Sequence, residues 1–126
     1  MKIAFVSDDH TSISTQYSNA KFYEIYILQV GKVIAHETVI KIHQHYNPND
    51  YAEDHTDNQK NIHDYEVMIA PISDCEVAIT RGISKYAHNS LIEHDIQPII
   101  TDISTIQDAL VAFLSGTITN HPENIY

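Results

Sequence analysis

The 126-residue chain has 7 lysines and arginines against 17 aspartates and glutamates, a formal net charge of −10, the wrong sign for a general nucleic-acid binder. Its apolar fraction of 43% is enough for the core of one domain, and its single cysteine excludes a disulfide framework or a cysteine-only cluster site within one chain. No apolar run is long enough to span a bilayer and Met1-Lys2 leads straight into a strand-like run, so one soluble, cytoplasmic domain over residues 1–126 is expected, with no membrane and no nucleic-acid partner.

Isoleucine outnumbers leucine 20 to 4, a bias toward pleated, half-buried surfaces. Ile3-Ala4-Phe5-Val6 reads as a strand buried on both faces and stops at Ser7-Asp8-Asp9-His10. Phe22 to Leu28 and Lys32 to about Ile42 read as two further strands, and the short Gln29-Val30-Gly31 link predicts an antiparallel hairpin. Residues 43–58 are polar and aperiodic around Asn47-Pro48-Asn49-Asp50, which predicts a long, mobile loop.

The spacing of Ile62, Tyr65, Ile69 and Ile72 predicts a helix from about residue 59 to Pro71. Cys75 to Thr80 follows as a buried strand, broken by Arg81-Gly82, and Ser84 can cap a helix running to about His94. Ile96 to Thr101 is a strand whose Pro98 cannot donate to a ladder, which places it at an edge. In the last helix, Ser104 and Gln107 suit a capping box, Ile106, Ala109, Leu110, Phe113 and Leu114 form one stripe, and Gly116 marks the stop. The order β-β-β-α-β-α-β-α predicts an α/β fold: a mixed five-stranded sheet covered by helices, its first, fourth and fifth strands parallel.

Ligands of open α/β sheets bind beyond the carboxyl ends of parallel strands. Three polar ends should therefore share one rim: Ser7-Asp8-Asp9-His10, Arg81-Gly82-Ile83-Ser84, and Thr101-Asp102. Gly82 and Ser84 open a helix whose free N–H groups favour an anion, and Arg81 and Lys85 add local positive charge. Asp8, Asp9 and Asp102 could alternatively hold a divalent cation for phosphoester hydrolysis.

Five of the nine histidines (His36, His43, His45, His55, His63) cluster in sequence. His43-x-His45 on an extended segment would share a face and could bind zinc or nickel with His55 or a nearby carboxylate. His36 and His63 read as surface or structural residues, and His88, His94 and His121 give no spacing signal. Cys75 has no basic partner or helix N-terminus beside it in sequence and reads as structural.

The opening Met1 to Asp9, the stretch Ser14 to Ala20, and Phe22-Tyr23-Glu24-Ile25-Tyr26 resemble the start of the dinitrogenase iron–molybdenum cofactor biosynthesis family. Asp74 to Ile79, Gly82-Ile83, Ala87, Leu91, Ile96 and Ile106 through Gly116 follow in that family's order. The resemblance implies a three-layer α/β/α, ribonuclease H-like domain without enzymatic activity. It further implies a small carrier for an anionic metal–sulfur cluster, of iron–sulfur or iron–molybdenum type, or for a related oxyanion, exchanging it with cluster donor and acceptor proteins. Gln16 stands where the family often has a histidine in Ser-x-His-Phe-Gly-x-Ala, and Arg81-Gly82-Ile83-Ser84 stands where it tends to have Gly-Gly-Ile-Gly. On this reading Ser7, Asp8, Asp9, Gln16, Arg81, Gly82, Ser84, Thr101 and Asp102 wall the site, and His10 or the loop histidines supply its imidazole.

Overall fold

The structure is a computed structural model that describes residues 1–41 and 65–126. Its centre is β1 (Lys2–Ser7), buried from Ile3 onward because it has a neighbour on either side. β2 (Phe22–Gln29) pairs with it antiparallel, and β3 (Lys32–Ile40) extends the hairpin outward. The hairpin turns at Val30 and Gly31, both in the left-handed region at φ 52° and 73°, as a two-residue turn between right-twisted strands requires. On the other side β4 (Val77–Thr80) runs parallel to β1, and β5 (Gln97–Ile100) parallel to β4. The result is one mixed five-stranded sheet in the order β3-β2-β1-β4-β5. Pro98 lies in β5, an edge strand, where its missing N–H costs no ladder bond.

Residues 65–69 are helical (α1) and tighten into a 3₁₀ turn over Ala70–Ile72. α2 spans Lys85–Glu93 and α3 spans Ile106–Leu114. The predicted helix is thus seen from residue 65; its first part, the 43–58 loop and His43, His45, His55 and His63 lie outside the described residues.

Alternation along the strands sends side chains to two cores. Ala4, Val6, Tyr23, Ile25 and Ala78 meet Met68, Ile72, Ala87 and Leu91 from α1, its 3₁₀ turn and α2. Ile3, Phe5, Val77 and Ile79 meet Ile106 and Ala109 of α3 on the opposite face. Each large side chain so buried contributes about 1.5–3 kcal/mol of transfer free energy. Helices therefore cover both faces of the sheet.

Two local expectations meet different fates. Ser84 caps α2, its Oγ accepting from the Ala87 N–H at 3.2 Å. The cap of α3 is Thr105 rather than Ser104: Thr105 Oγ1 accepts from the Asp108 N–H, while the Ser104 carbonyl accepts from Ile13. Two capping-competent residues stand side by side, and the long-range bond from Ile13 selects between them. Cys75 is buried, and burial, reinforced by Asp74, pushes its thiol up to about 11. That suits a packed residue and not a nucleophile.

Candidate functional site

β1, β4 and β5 are parallel, so their carboxyl ends do lie on one edge of the sheet. The chain leaving β1 does not simply stop there, because Ser7 is entirely buried and its hydroxyl is consumed locally. Ser7 Oγ donates to the Ser12 carbonyl at 2.6 Å and accepts from the His10 N–H at 3.0 Å. Asp9 accepts from the N–H groups of Thr11 and Ser12 at 3.0 and 2.7 Å, and these bonds hold its carboxyl far below the usual carboxylate range. Asp8 accepts from the Lys21 N–H at 3.0 Å. These three residues are engaged in building the loop, and Asp8 and Asp9 do not converge with Asp102 on a cation. Among the described residues no group of three or more His, Cys, Asp or Glu side chains is placed to hold a metal ion.

Farther along the same loop the chain returns to the edge. Arg81 N–H donates to the Ser14 carbonyl at 3.0 Å, and Tyr17 N–H donates to the Gly82 carbonyl at 3.0 Å. Thr80 Oγ1 ties the crossing by donating to the Gly82 carbonyl at 2.9 Å. Gly82 is required because a Cβ there would overlap the main-chain oxygen of Thr15. Its bare α-carbon accommodates a chain crossing. Gln16 lies in the turn, its side-chain oxygen accepting from Asn19 Nδ2 at 2.6 Å.

What the edge does assemble is a cavity of about 350 Å³ whose lining includes Thr15, Arg81, Gly82 and Thr101. Of the predicted residues, Arg81, Gly82 and Thr101 line it, whereas Ser7, Asp8, Asp9, His10, Gln16, Ser84 and Asp102 do not. Arg81 is partly buried, and its Nε is shut off from solvent with no hydrogen-bond partner among the described residues. It forms no ion pair among them either. Thr101 is fully buried and receives the Ile103 N–H on its hydroxyl at 3.1 Å. Lys85 turns aside, its ammonium lying 5.2 Å from the centre of the Tyr86 ring.

The remaining wall was not legible as such. Glu123, Asn124 and Tyr126 complete the cavity, and the segment carrying them is pinned across the strand ends. The His121 N–H donates to the Ile100 carbonyl at 2.7 Å, and the Tyr126 N–H donates to the Ile83 carbonyl at 2.9 Å. His121 sits between Glu123 at 3.0 Å and Asp102 at 3.5 Å. Its hydrogen bond to Glu123, and then the charge of Asp102, raise its pKa.

His10 goes to a second cluster. In the left-handed region at φ 73°, it stacks on Phe22 and reaches the carboxylate of Glu24 through Nδ1 at 2.9 Å. His36 stacks flat on Tyr26 and reaches the other oxygen through Nε2 at 2.7 Å, and Thr38 donates to that same oxygen at 2.7 Å. Glu24 is fully buried in mid-sheet. Desolvation pushes its pKa up, but the bonds from His10, Thr38 and His36 outweigh it and the net shift is downward. The stabilisation from a depressed carboxyl is therefore present above the ordinary value of 4.5 and lost as pH falls through the lowered one. Glu24→Gln should cost about 2 kcal/mol at pH 7, and the gap to wild type should narrow below pH 4 in urea titrations. A variant as stable as wild type at pH 7 would show that the clamp contributes nothing.

The family model described as dinitrogenase iron-molybdenum cofactor matches residues 1–116. The chain belongs to this family. No curated protein matches it. Among solved structures, PH0822 shares 17% identity, with 96% of each chain covered and a TM-score of 0.69. The Methanocaldococcus jannaschii protein MJ0327, described as a candidate dinitrogenase, shares 13% identity over 96% of this chain and 94% of its own, at a TM-score of 0.66. The apo form of the orange protein from Desulfovibrio gigas shares 17% identity over 95% and 92%, at 0.65. At such identities the likeness is one of fold, and it agrees with the mixed sheet and its helices. No helix among the described residues is long and apolar enough to cross a membrane.

Proposed function

We propose that this family member is a small non-catalytic binding protein of ribonuclease H-like, three-layer fold, which takes an anion at the Arg81 cavity and passes it on. The observation that carries the reading is the Arg81 side chain, which lines a cavity at the carboxyl ends of β4 and β5 and whose buried Nε has no partner among the described residues. A buried donor without an acceptor costs about 1–3 kcal/mol, and an oxyanion meets that need with charge-assisted hydrogen bonds.

The donor set narrows the cargo. Cys75 precedes the amino end of β4, at the opposite edge of the sheet, so no thiolate stands at the cavity. An anion here is held by charge and hydrogen bonds, not by sulfur ligation. The family description points to molybdenum chemistry, which makes a molybdate-like oxyanion, or an anionic metal–sulfur cluster presenting such a surface, the substrate class. A carrier of this kind works in the cytoplasm between cluster donor and acceptor proteins, with binding loose enough for release.

Equilibrium dialysis of molybdate at low ionic strength tests this. Arg81→Ala should weaken binding at least about tenfold, as expected for a desolvated charged hydrogen bond. Absence of binding to wild type, or equal binding to Arg81→Ala, would overturn the proposal.

A further inference from the structure

The cavity is closed on one side by the chain itself. Beyond α3, and beyond residue 116 where the family match ends, residues 120–126 run back over the ends of β4 and β5. They do so with the polar atoms an anion would otherwise engage. The Lys85 N–H, at the first position of α2, donates to the main-chain oxygen of Tyr126 at 2.8 Å. The Ile83 N–H donates to the Asn124 carbonyl at 3.2 Å. Glu123 adds a carboxylate to the same cavity as Arg81.

We infer that residues 120–126 are an internal competitor for the Arg81 cavity, a strap whose oxygens occupy the N–H groups at the start of α2 and must yield when an anion engages those groups. The inference rests on the reading of that cavity as an anion site.

Three observations agree with it. The strap is joined to the strand ends by separate hydrogen bonds, one isolated bridge, Ile83 to Ile125, and the packing of Ile125 on the core, rather than by a continuous ladder. Pro122, Glu123, Asn124 and Tyr126 are exposed and His121 and Ile125 only partly buried, so lifting the strap uncovers a single aliphatic contact with the core, that of Ile125. The closed cavity, at about 350 Å³, is at the small end for a ligand pocket. Closed, the Ile83 and Lys85 N–H groups are taken by strap oxygens; with the strap lifted they are free for an oxyanion and the cavity widens. A competing closed state lowers the apparent affinity by the fraction of time the site is open, so weakening the strap must tighten binding.

Tyr126→Pro removes the N–H that bonds Ile83 and is compatible with the extended Ile125 before it, at φ −90° and ψ 122°. Losing one net hydrogen bond should raise molybdate affinity about fivefold, and Tyr126→Pro should bind more tightly than Tyr126→Ala, which also loses the ring but keeps the N–H. Hydrogen exchange on the wild-type chain gives an independent readout: molybdate should speed exchange of the Tyr126 amide. Unchanged or weaker binding by Tyr126→Pro, or a slowed Tyr126 amide, would overturn the strap while leaving Arg81-dependent binding intact. If neither wild type nor Tyr126→Pro takes up molybdate, the cavity reading fails and the strap with it.

Discussion

Lys41→Met should be more stable than wild type by about 2 kcal/mol at pH 6, with the advantage gone at about pH 8.5 and reversed by about pH 10. Lys41 is 2% exposed. Its ammonium donates to the Tyr17 carbonyl and lies 4.2 and 5.1 Å from the ring centres of Tyr17 and Tyr23. Burial pushes its pKa down from 10.5 to about 7, with the charge of Asp8 opposing the shift only in part. Each tenfold loss of proton affinity is worth about 1.4 kcal/mol, so the charged form carries a penalty on the order of 5 kcal/mol. Replacing the ammonium also removes its hydrogen bond and its attraction to the two rings, which offsets roughly half of that relief. Between about 7 and 10.5 the unfolded chain binds the proton more tightly than the folded one, so wild-type stability rises with pH across that window. Methionine has nothing to titrate and can fill the same gap between the tyrosines. Urea unfolding at pH 6, 7.5 and 9 measures the difference. A methionine variant that is less stable at pH 6, or whose offset is flat with pH, would refute the argument.

Gly82→Ala should destabilise by about 3 kcal/mol. The added methyl would overlap the Thr15 carbonyl oxygen, lie 3.2 Å from its carbon, and sit 3.6 Å from the Tyr126 ring. The ring can rotate away, but Thr15 cannot move alone. It lies between Ser14, whose N–H donates to Val6 and whose carbonyl receives Arg81, and Tyr17, whose N–H is bound to Gly82 itself. Relieving the clash separates the two chains at their crossing. The denaturation midpoint should fall, and Arg81 should lose its place beside Thr101. A loss below about 0.5 kcal/mol would mean that the crossing tolerates a side chain.

What the sequence made legible follows the range of the interactions involved. Ile3 to Val6 and Val77 to Thr80 are continuous apolar runs, and they are the central strands because only a strand covered on both faces needs such a run. Ser84 was legible as a cap because its partner, Ala87, is three residues away. Glu24 was not legible as a buried anchor: it sits in a strand pattern with partners 12 to 14 residues away on two different segments. His121 and Tyr126 carried no signal, since isolated contacts with Ile100 and Ile83 leave no periodicity. The apolar runs predict that the ends of β1, β4 and β5 share one edge, and they do, but adjacency to β1 does not bring Ser7 to His10 into the cavity there. The loop instead spends those residues on its own turns and on Glu24, and reaches the cavity only at Thr15.

The central position of β1 also orders events in time. Its antiparallel partner β2 lies just downstream, whereas its parallel partner begins at Val77, paired with Ile3. During synthesis the three-stranded half can form as soon as residue 40 is free, but it leaves one flank of β1 unpaired until the second half of the chain arrives. Parallel pairing over such a separation is intrinsically slow. The nascent half-sheet therefore presents an unsatisfied apolar edge, and this interval is when the chain is most prone to aggregate or to need a chaperone.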